Sequence, residues 1–146
     1  MGMEKVEPMI GALLRYGWQR VMKTILSELP QEGFTDLQQA HVIVFLYPGP
    51  EGLSPGALAE RHGMSKQAMN QLLHSLEQLG YLTRGVDPHN RRARIIQLTE
   101  RGERVVAVAR RKLVLLEQEW AAQLGEERFA ALKQMLQELR RLPERL

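Results

Sequence analysis

Polar side chains follow Ser65 at spacings that place them on the exposed face of one predicted helix. Ser65 is an N-cap candidate, and apolar residues then recur every three or four positions as far as Gly80. In the major groove of DNA, side-chain amides bind adenine and lysine reaches guanine or a phosphate. A solvated polar face is the alternative for these side chains taken alone. With Ser65, the candidates are Lys66, Gln67, Asn70, Gln71 and His74.

A basic turn comes soon after this helix. Two β-prone runs at residues 81–86 and 94–98 flank a turn-forming tip at 87–93, which contains His89, Asn90, Arg91 and Arg92. Arginines in such a tip can enter a narrow minor groove, where the negative potential is concentrated. A helix, a glycine turn, a second helix and a basic hairpin predict a helix-turn-helix with a β-wing.

Charge is distributed unevenly along the 146 residues. The chain holds 20 basic and 17 acidic residues, a net charge of +3, but residues 61–112 contain 11 Lys/Arg and only 4 Asp/Glu. A basic middle between more acidic ends indicates a surface for nucleic acid or another polyanion. An arginine-rich solvated helix face is the alternative.

The remaining elements are predicted to be helical. Thr35 and Gln38 match a capping box, Ser54 and Thr99 are N-cap candidates, and Gly125 ends a helix. We therefore expect one domain over residues 1–146, mainly α with a small β-hairpin. Besides the helix after Ser65, helices are predicted at residues 8–29, from Thr35 to about residue 46, and at 55–61, 99–125 and 126–142.

Several classes of chemistry find no support in the sequence. The absence of cysteine excludes disulfides, thiolate metal sites and thiol nucleophiles. The four histidines lie on separate elements without metal-ligand spacing, and His41 sits in an apolar run that predicts a hydrogen-bonded core histidine. No hydrolase elbow, phosphate-binding loop or metalloprotease motif is present. We expect no catalytic site, metal or cofactor. No apolar run approaches the roughly 18 residues of a membrane span, so the cytoplasm is the expected location.

Two motifs resemble those of MarR-type transcriptional regulators. The sequence LAERHGMSKQA at 58–68, continued by apolar positions through Leu82 and by Arg84, resembles that family's helix-turn-helix. DPHNRR at 87–92, followed by IQLTERG at 96–102, resembles its wing and the start of its next long helix. The family commonly has aspartate where this chain has Asn90, and that aspartate usually pairs with the wing arginine. Asparagine keeps the hydrogen bonding and removes the charge.

The resemblance implies a homodimer that binds a pseudo-palindromic operator in double-stranded DNA. Residues 35–98 would form the winged helix, and residues 5–29 and 99–142 would supply the dimerisation helices. Recognition helices would enter successive major grooves through the residues at and after Ser65. Arg92 would be the wing arginine in a flanking minor groove.

The resemblance also implies a pocket between the dimerisation helices and the winged helix for small aromatic or phenolic ligands. Tyr16, Trp18 and Met22 are the candidate lining residues, with ordinary core packing as the alternative. The expected function is a dimeric repressor that a small molecule releases from DNA. Regulation without a ligand, and a winged-helix module for protein interaction or DNA architecture, remain alternatives.

Overall fold

Six α-helices and one β-hairpin follow the order predicted from the sequence. The computed structural model describes residues 6–46 and 48–144. The mainly helical class with a hairpin wing is confirmed. None of the helices in the described residues is long and apolar enough to cross a membrane. In chain order the elements are α1 (Ile10–Glu28), a 3-10 turn (Leu29–Glu32), α2 (Gln39–Val44), α3 (Pro55–Arg61), α4 (Lys66–Gln78), β1 (Leu82–Asp87), β2 (Asn90–Leu98), α5 (Glu100–Leu124) and α6 (Glu126–Arg141).

Three predicted N-caps are confirmed. The Ser54 and Ser65 hydroxyls each accept a hydrogen bond, at 3.1 Å, from the backbone N–H three residues later. Thr99 accepts one from the N–H of Gly102 at 3.2 Å. Each side chain satisfies a donor that the first turn of its helix leaves free.

The predicted capping box at Thr35 and Gln38 is wrong. Helix α2 begins four residues after Thr35, and the side chain that caps its first turn is His41, whose Nδ1 accepts the Gln38 N–H at 3.1 Å. The segment before α2 bends at Asp36, whose carboxylate is held by Tyr81 and Arg101, both distant in sequence. Since Nδ1 of His41 is an acceptor, Nε2 carries the proton and donates to Ser75 Oγ at 3.0 Å. The prediction of a hydrogen-bonded core histidine is confirmed.

The hydrophobic core joins the long helices to the helix-turn-helix. Ile25 of α1, Val42 of α2, Leu73 of α4 and Val105 of α5 are fully buried in one cluster. Tyr81, between α4 and β1, is also fully buried and packs edge-on against Phe45 at 5.9 Å between ring centroids. The apolar stripe of α4 is thus buried in the core, and the polar face of the helix points outward.

The second wing strand is longer than predicted, and the first keeps its predicted length, shifted by one residue. β1 and β2 pair antiparallel from Leu82 opposite Leu98 to Val86 opposite Arg94, and a register shift precedes the pair of Asp87 and Asn90. The tip shrinks to residues 88–89. Asp87 Oδ1 accepts the His89 N–H at 2.8 Å, and Asn90 Oδ1 accepts the Arg92 N–H at 3.2 Å. These local bonds close the turn tightly.

Arg91 and Arg92 therefore lie in β2, and their predicted place in a seven-residue tip is wrong. The other edge of β2 is also occupied. The Gly52 N–H donates to the Ile96 carbonyl, and the Ile96 N–H donates to the Leu53 carbonyl, each at 2.8 Å. Glu51 accepts the Leu98 N–H through its carboxylate. The loop before α3 thus braces the wing from the side opposite β1.

Candidate nucleic-acid interface

The N-terminal half of α4 presents an exposed polar face. Met69, Leu73 and Leu76 turn into the core, so the opposite side of the helix points away from it. Five of the six predicted helix contacts are exposed: Ser65, Lys66, Gln67, Gln71 and His74. The Lys66 side chain lies across Gly56 at the start of α3, where an added Cβ would come 2.8 Å from its Cε. Lysine, amide and imidazole groups are thereby arrayed along one accessible helix face.

Asn70 has a different environment from its neighbours. It is half-buried, its Oδ1 accepts from Arg84 Nη1 and its carbonyl accepts from Arg84 Nη2, both at 3.1 Å. Arg84 lies in β1, and its Nε is 3.4 Å from Glu77 Oε2 farther along α4. The side-chain oxygen of Asn70 thus forms part of the hydrogen-bonded connection between α4 and β1.

The wing contributes a row of exposed polar and basic residues. His89, Asn90, Arg91 and Arg92 are all exposed, and Asn90 bonds to the backbone of Arg92 and not to its guanidinium. Arg94, in the same strand, is exposed too. It was not among the sequence candidates because it fell in a predicted strand and outside the tip. The feature of the sequence that could have indicated Arg94 is the unusual number of arginines in a run of alternating strand residues.

Positive charge near α4 comes from lysine and arginine side chains. His62 ends α3, and burial, followed by the charge of Arg61, lowers the pKa of this imidazole below its ordinary value. His62 is therefore neutral at pH 7. Glu77 is paired with Arg84, which reduces the negative charge at the far end of the helix. The exposed cations Lys66, Arg92 and Arg94 are consequently suited to a polyanion.

A cavity of about 520 Å³ lies between the winged helix and the long helices. Phe45 at the end of α2 forms one wall, and apolar residues of α5 form the other. Two cations, Arg110 and Lys133, and the acid Glu117 stand among these apolar groups, with Lys133 2.8 Å from Glu117. The described lining comprises Phe45, Pro48, Val106, Ala109, Arg110, Leu113, Val114, Glu117 and Lys133.

The three residues predicted to line a ligand pocket are not brought together. Met22 is 2% exposed and belongs to the core, where one edge reaches a separate shallow groove beside α1. Tyr16 and Trp18 are 52% and 42% exposed on α1. The described lining of the larger cavity contains none of the three.

The long helices leave much apolar surface uncovered in the single chain. The amino-terminal part of α1 exposes Ile10, Leu13 and Leu14, and the chain before it exposes Val6 and Met9. An apolar row on α6 is also exposed, formed by Leu132, Met135, Leu136 and Leu139. Contiguous apolar surface of this kind marks an interaction site.

Two short helices at a glycine turn, followed by a β-hairpin braced against the second, define a winged helix-turn-helix protein. Residues 32–93 match the profile of the MarR family. The chain also superposes on the crystal structure of MarR at 25% identity and a TM-score of 0.70, covering 95% of this chain and 92% of that one. Over residues 32–93 and in its fold the chain is therefore similar to the MarR family, whose members are transcriptional regulators.

Two further structures share the fold at lower identity. S. aureus MepR in its DNA complex is 24% identical with a TM-score of 0.68, over 91% of this chain and 97% of MepR. CouR from Rhodococcus jostii RHA1, bound to p-coumaroyl-CoA, is 22% identical with a TM-score of 0.70, over 94% of this chain and 95% of CouR.

Proposed function

We propose that this protein is a sequence-specific DNA-binding transcriptional repressor. The observation that carries the proposal is the exposed polar face of α4, linked through Arg84 to a hairpin whose second strand exposes arginines, in a segment that matches the MarR family profile. Gln67 and Gln71 would read base edges in the major groove, and Lys66 would reach a guanine or a phosphate. Arg92, with Arg91 and Arg94, would contact the adjacent minor groove and its phosphates.

The active form would be a homodimer. The exposed apolar residues of α1 and α6 supply a surface that a second copy would cover, because burial of such surface drives association. A two-fold dimer carries two recognition helices, and its operator would be a pseudo-palindrome with half-sites about one helical turn apart. The dimerisation helices would be those predicted at residues 5–29 and 99–142.

The cavity beside Phe45 would bind the effector. Its walls are mainly apolar, and because Lys133 is paired with Glu117, Arg110 supplies the net positive charge, so the cavity suits a small aromatic molecule that carries an acidic group. That CouR is bound to p-coumaroyl-CoA supports ligand control in a relative of the same fold. A ligand that binds the DNA-free conformation more tightly than the DNA-bound one would release the protein from its operator.

Selection from random double-stranded DNA tests the proposal and identifies the operator in the same experiment. The enriched sequence and a scrambled version of it would then be titrated by fluorescence anisotropy at two salt concentrations. We expect a pseudo-palindromic sequence and a specific affinity at least about 1,000-fold above that for scrambled DNA.

Equal and weak binding to both DNAs would contradict the proposal. It would leave only the electrostatic attraction that any basic protein has for DNA. The winged helix would then serve protein interaction or DNA architecture.

A further inference from the structure

The chain passes twice between the long helices and the winged helix, and the two passages meet at one point. The first passage is residues 33–38, between the 3-10 turn and α2, and the second is Thr99, between β2 and α5. Asp36 in the first passage faces Arg101 in the first turn of α5. Arg101 Nη2 lies 3.1 Å from Asp36 Oδ2. An ion pair therefore ties the two passages together.

The same arginine reaches the end of the recognition helix. Arg101 Nη1 donates to the carbonyl of Leu79, the residue that caps α4. Its guanidinium also lies over the ring of Tyr81, 4.2 Å from the centroid. The Tyr81 hydroxyl donates to Asp36 Oδ1. Two side chains from connecting segments, Asp36 and Tyr81, and Arg101 of α5 thus form a closed network around the C-terminal end of α4.

Backbone contacts place α5 firmly against this point. Thr99 Oγ1 donates to the Gly80 carbonyl at 2.7 Å, and the Thr99 N–H donates to the Tyr81 carbonyl at 3.1 Å. A Cβ added at Gly102 would lie 2.1 Å from the Tyr81 carbonyl oxygen. Only glycine permits this approach, so the first turn of α5 is fixed directly on the turn between α4 and β1.

We infer that Asp36, Tyr81 and Arg101, which we call the crossing clamp, are positioning residues that set the angle between α4 and α5. The expected effect of this angle on DNA binding rests on the proposed function. In a dimer held together by the long helices, that angle sets the distance between the two recognition helices, and hence the half-site spacing that the protein accepts. Planar guanidinium contacts to a carboxylate, a carbonyl and a ring restrict orientation more than a single exposed ion pair does.

The distance between α4 and α5 within one chain tests the inference directly. The sequence contains no cysteine, so Gln71→Cys and Gln118→Cys, both at exposed positions, introduce a single pair of spin labels. Labelled protein diluted with excess unlabelled chain reports distances within one chain by double electron–electron resonance. We expect one narrow distribution for the parent and a distribution about twofold wider for Arg101→Gln and for Tyr81→Phe.

Arg111→Gln is the matched control. It removes the same charge from the same helix, but Arg111 pairs with Glu28 and Glu32 at the end of α1 and not with the winged helix. Its distribution should coincide with that of the parent. Tyr81→Phe keeps the buried ring and removes only the hydroxyl, and circular dichroism would verify that each variant is folded.

Unchanged distributions in both clamp variants would overturn the inference, as would equal broadening in Arg111→Gln. DNA binding supplies a separate readout. The clamp variants should lose affinity for the selected DNA by about tenfold, while Arg111→Gln should not. If the parent protein binds no DNA specifically, the proposed function fails, and the distances within the chain still decide whether the clamp holds α4.

Discussion

Gln67 is the residue best placed to read a base. It is exposed in the first turn of α4, and the described hydrogen bonds give its amide no partner in the protein. We expect Gln67→Ala to relax base preference at one position of each half-site, at a cost of about 1–3 kcal/mol for the lost bidentate contact. Repeating the DNA selection with the variant measures this effect.

Gln78→Ala is the control for that experiment, since Gln78 is an exposed glutamine at the opposite end of the same helix. Its selected sequence should equal that of the parent. The recognition-helix assignment is wrong if Gln67→Ala also selects the parental sequence with parental affinity.

Arg92 should act through charge and not through base identity. Arg92→Ala is expected to weaken binding to selected and scrambled DNA alike and to reduce the slope of log K against log salt concentration by about 1, because one phosphate-neutralising cation is lost. Anisotropy titrations over a salt series measure both quantities. Arg128→Ala removes an exposed arginine from the first turn of α6 and should leave the slope unchanged. An unaltered slope in Arg92→Ala would remove Arg92 from the interface.

Ionisation of the Tyr81 hydroxyl should change the free energy of unfolding. Burial raises the pKa of this hydroxyl above the ordinary value, and the hydrogen bond to Asp36 and that carboxylate's charge raise it further, against the opposing charges of Arg101 and Arg104. A folded-state pKa above the unfolded value stabilises the protein below the unfolded pKa of about 10, and this stabilisation is lost as the pH rises past it.

The free energy of unfolding should therefore fall above about pH 10, with a contribution from Tyr81 of at most about 1.4 kcal/mol per pH unit. Urea unfolding of the parent and of Tyr81→Phe between pH 9 and 11 isolates that contribution, since lysines and other tyrosines titrate in both. Identical pH dependence in the two proteins would show that the hydroxyl ionises as freely in the folded state as in the unfolded one.

At the scale of elements, Asn70 and Arg84 connect the recognition helix to the wing. Two hydrogen bonds of 3.1 Å hold the Arg84 guanidinium on α4; Arg84→Met removes both, and Asn70→Ala removes the one to the side-chain oxygen. We expect Asn70→Ala and Arg84→Met each to weaken DNA binding and the double variant to lose little more than Arg84→Met alone. A double-mutant cycle with the selected DNA measures this coupling.

Additive losses, together with a changed base preference in Asn70→Ala, would instead support a role for Asn70 as a base contact. Gln71→Ala combined with Arg84→Met is the control cycle. Gln71 is exposed one residue farther along α4, and the described hydrogen bonds do not connect it to Arg84, so its cycle should be additive.

The sequence predicted those elements whose signals are local. Ser54, Ser65 and Thr99 each cap the helix that follows within three residues, and the apolar period of α4 determines which of its faces is buried. The predictions failed where contacts join residues that are distant in the sequence. Asp36 is held by Tyr81 and Arg101, 45 and 65 positions away, so α2 begins later than the Thr35 pattern indicated.

The same distinction separates the residues whose exposure the sequence predicted from those that depend on packing. Lys66 and Gln67 follow from helix periodicity alone. Arg84 as the partner of Asn70, and Phe45 with Arg110 in the wall of the cavity, depend on how separate elements pack. Helix spacing on α1 could not show that Tyr16 and Trp18 lie outside the described lining of that cavity, because one-dimensional periodicity does not identify the neighbour of each face.

For the whole molecule, the proposed dimer interface and the proposed DNA interface have different physical origins. Apolar surface on α1 and α6 would hold two copies together, and polar and basic side chains of α4 and β2 would bind DNA. The dimer multiplies weak, salt-sensitive contacts of one winged helix into a specific complex, because both half-sites must be occupied in register. The spacing between half-sites therefore depends both on the dimer interface and on the DNA-binding elements.

Hydroxyl-radical and methylation footprinting of the selected DNA measures that property most directly. We expect two protected patches in the major groove on one face of the duplex, with centres about 10–10.5 base pairs or a multiple of that apart. The minor grooves on their flanks should also be protected. A single patch, or two patches with no protection in the flanking minor grooves, would contradict the proposed dimer or the assigned role of the wing.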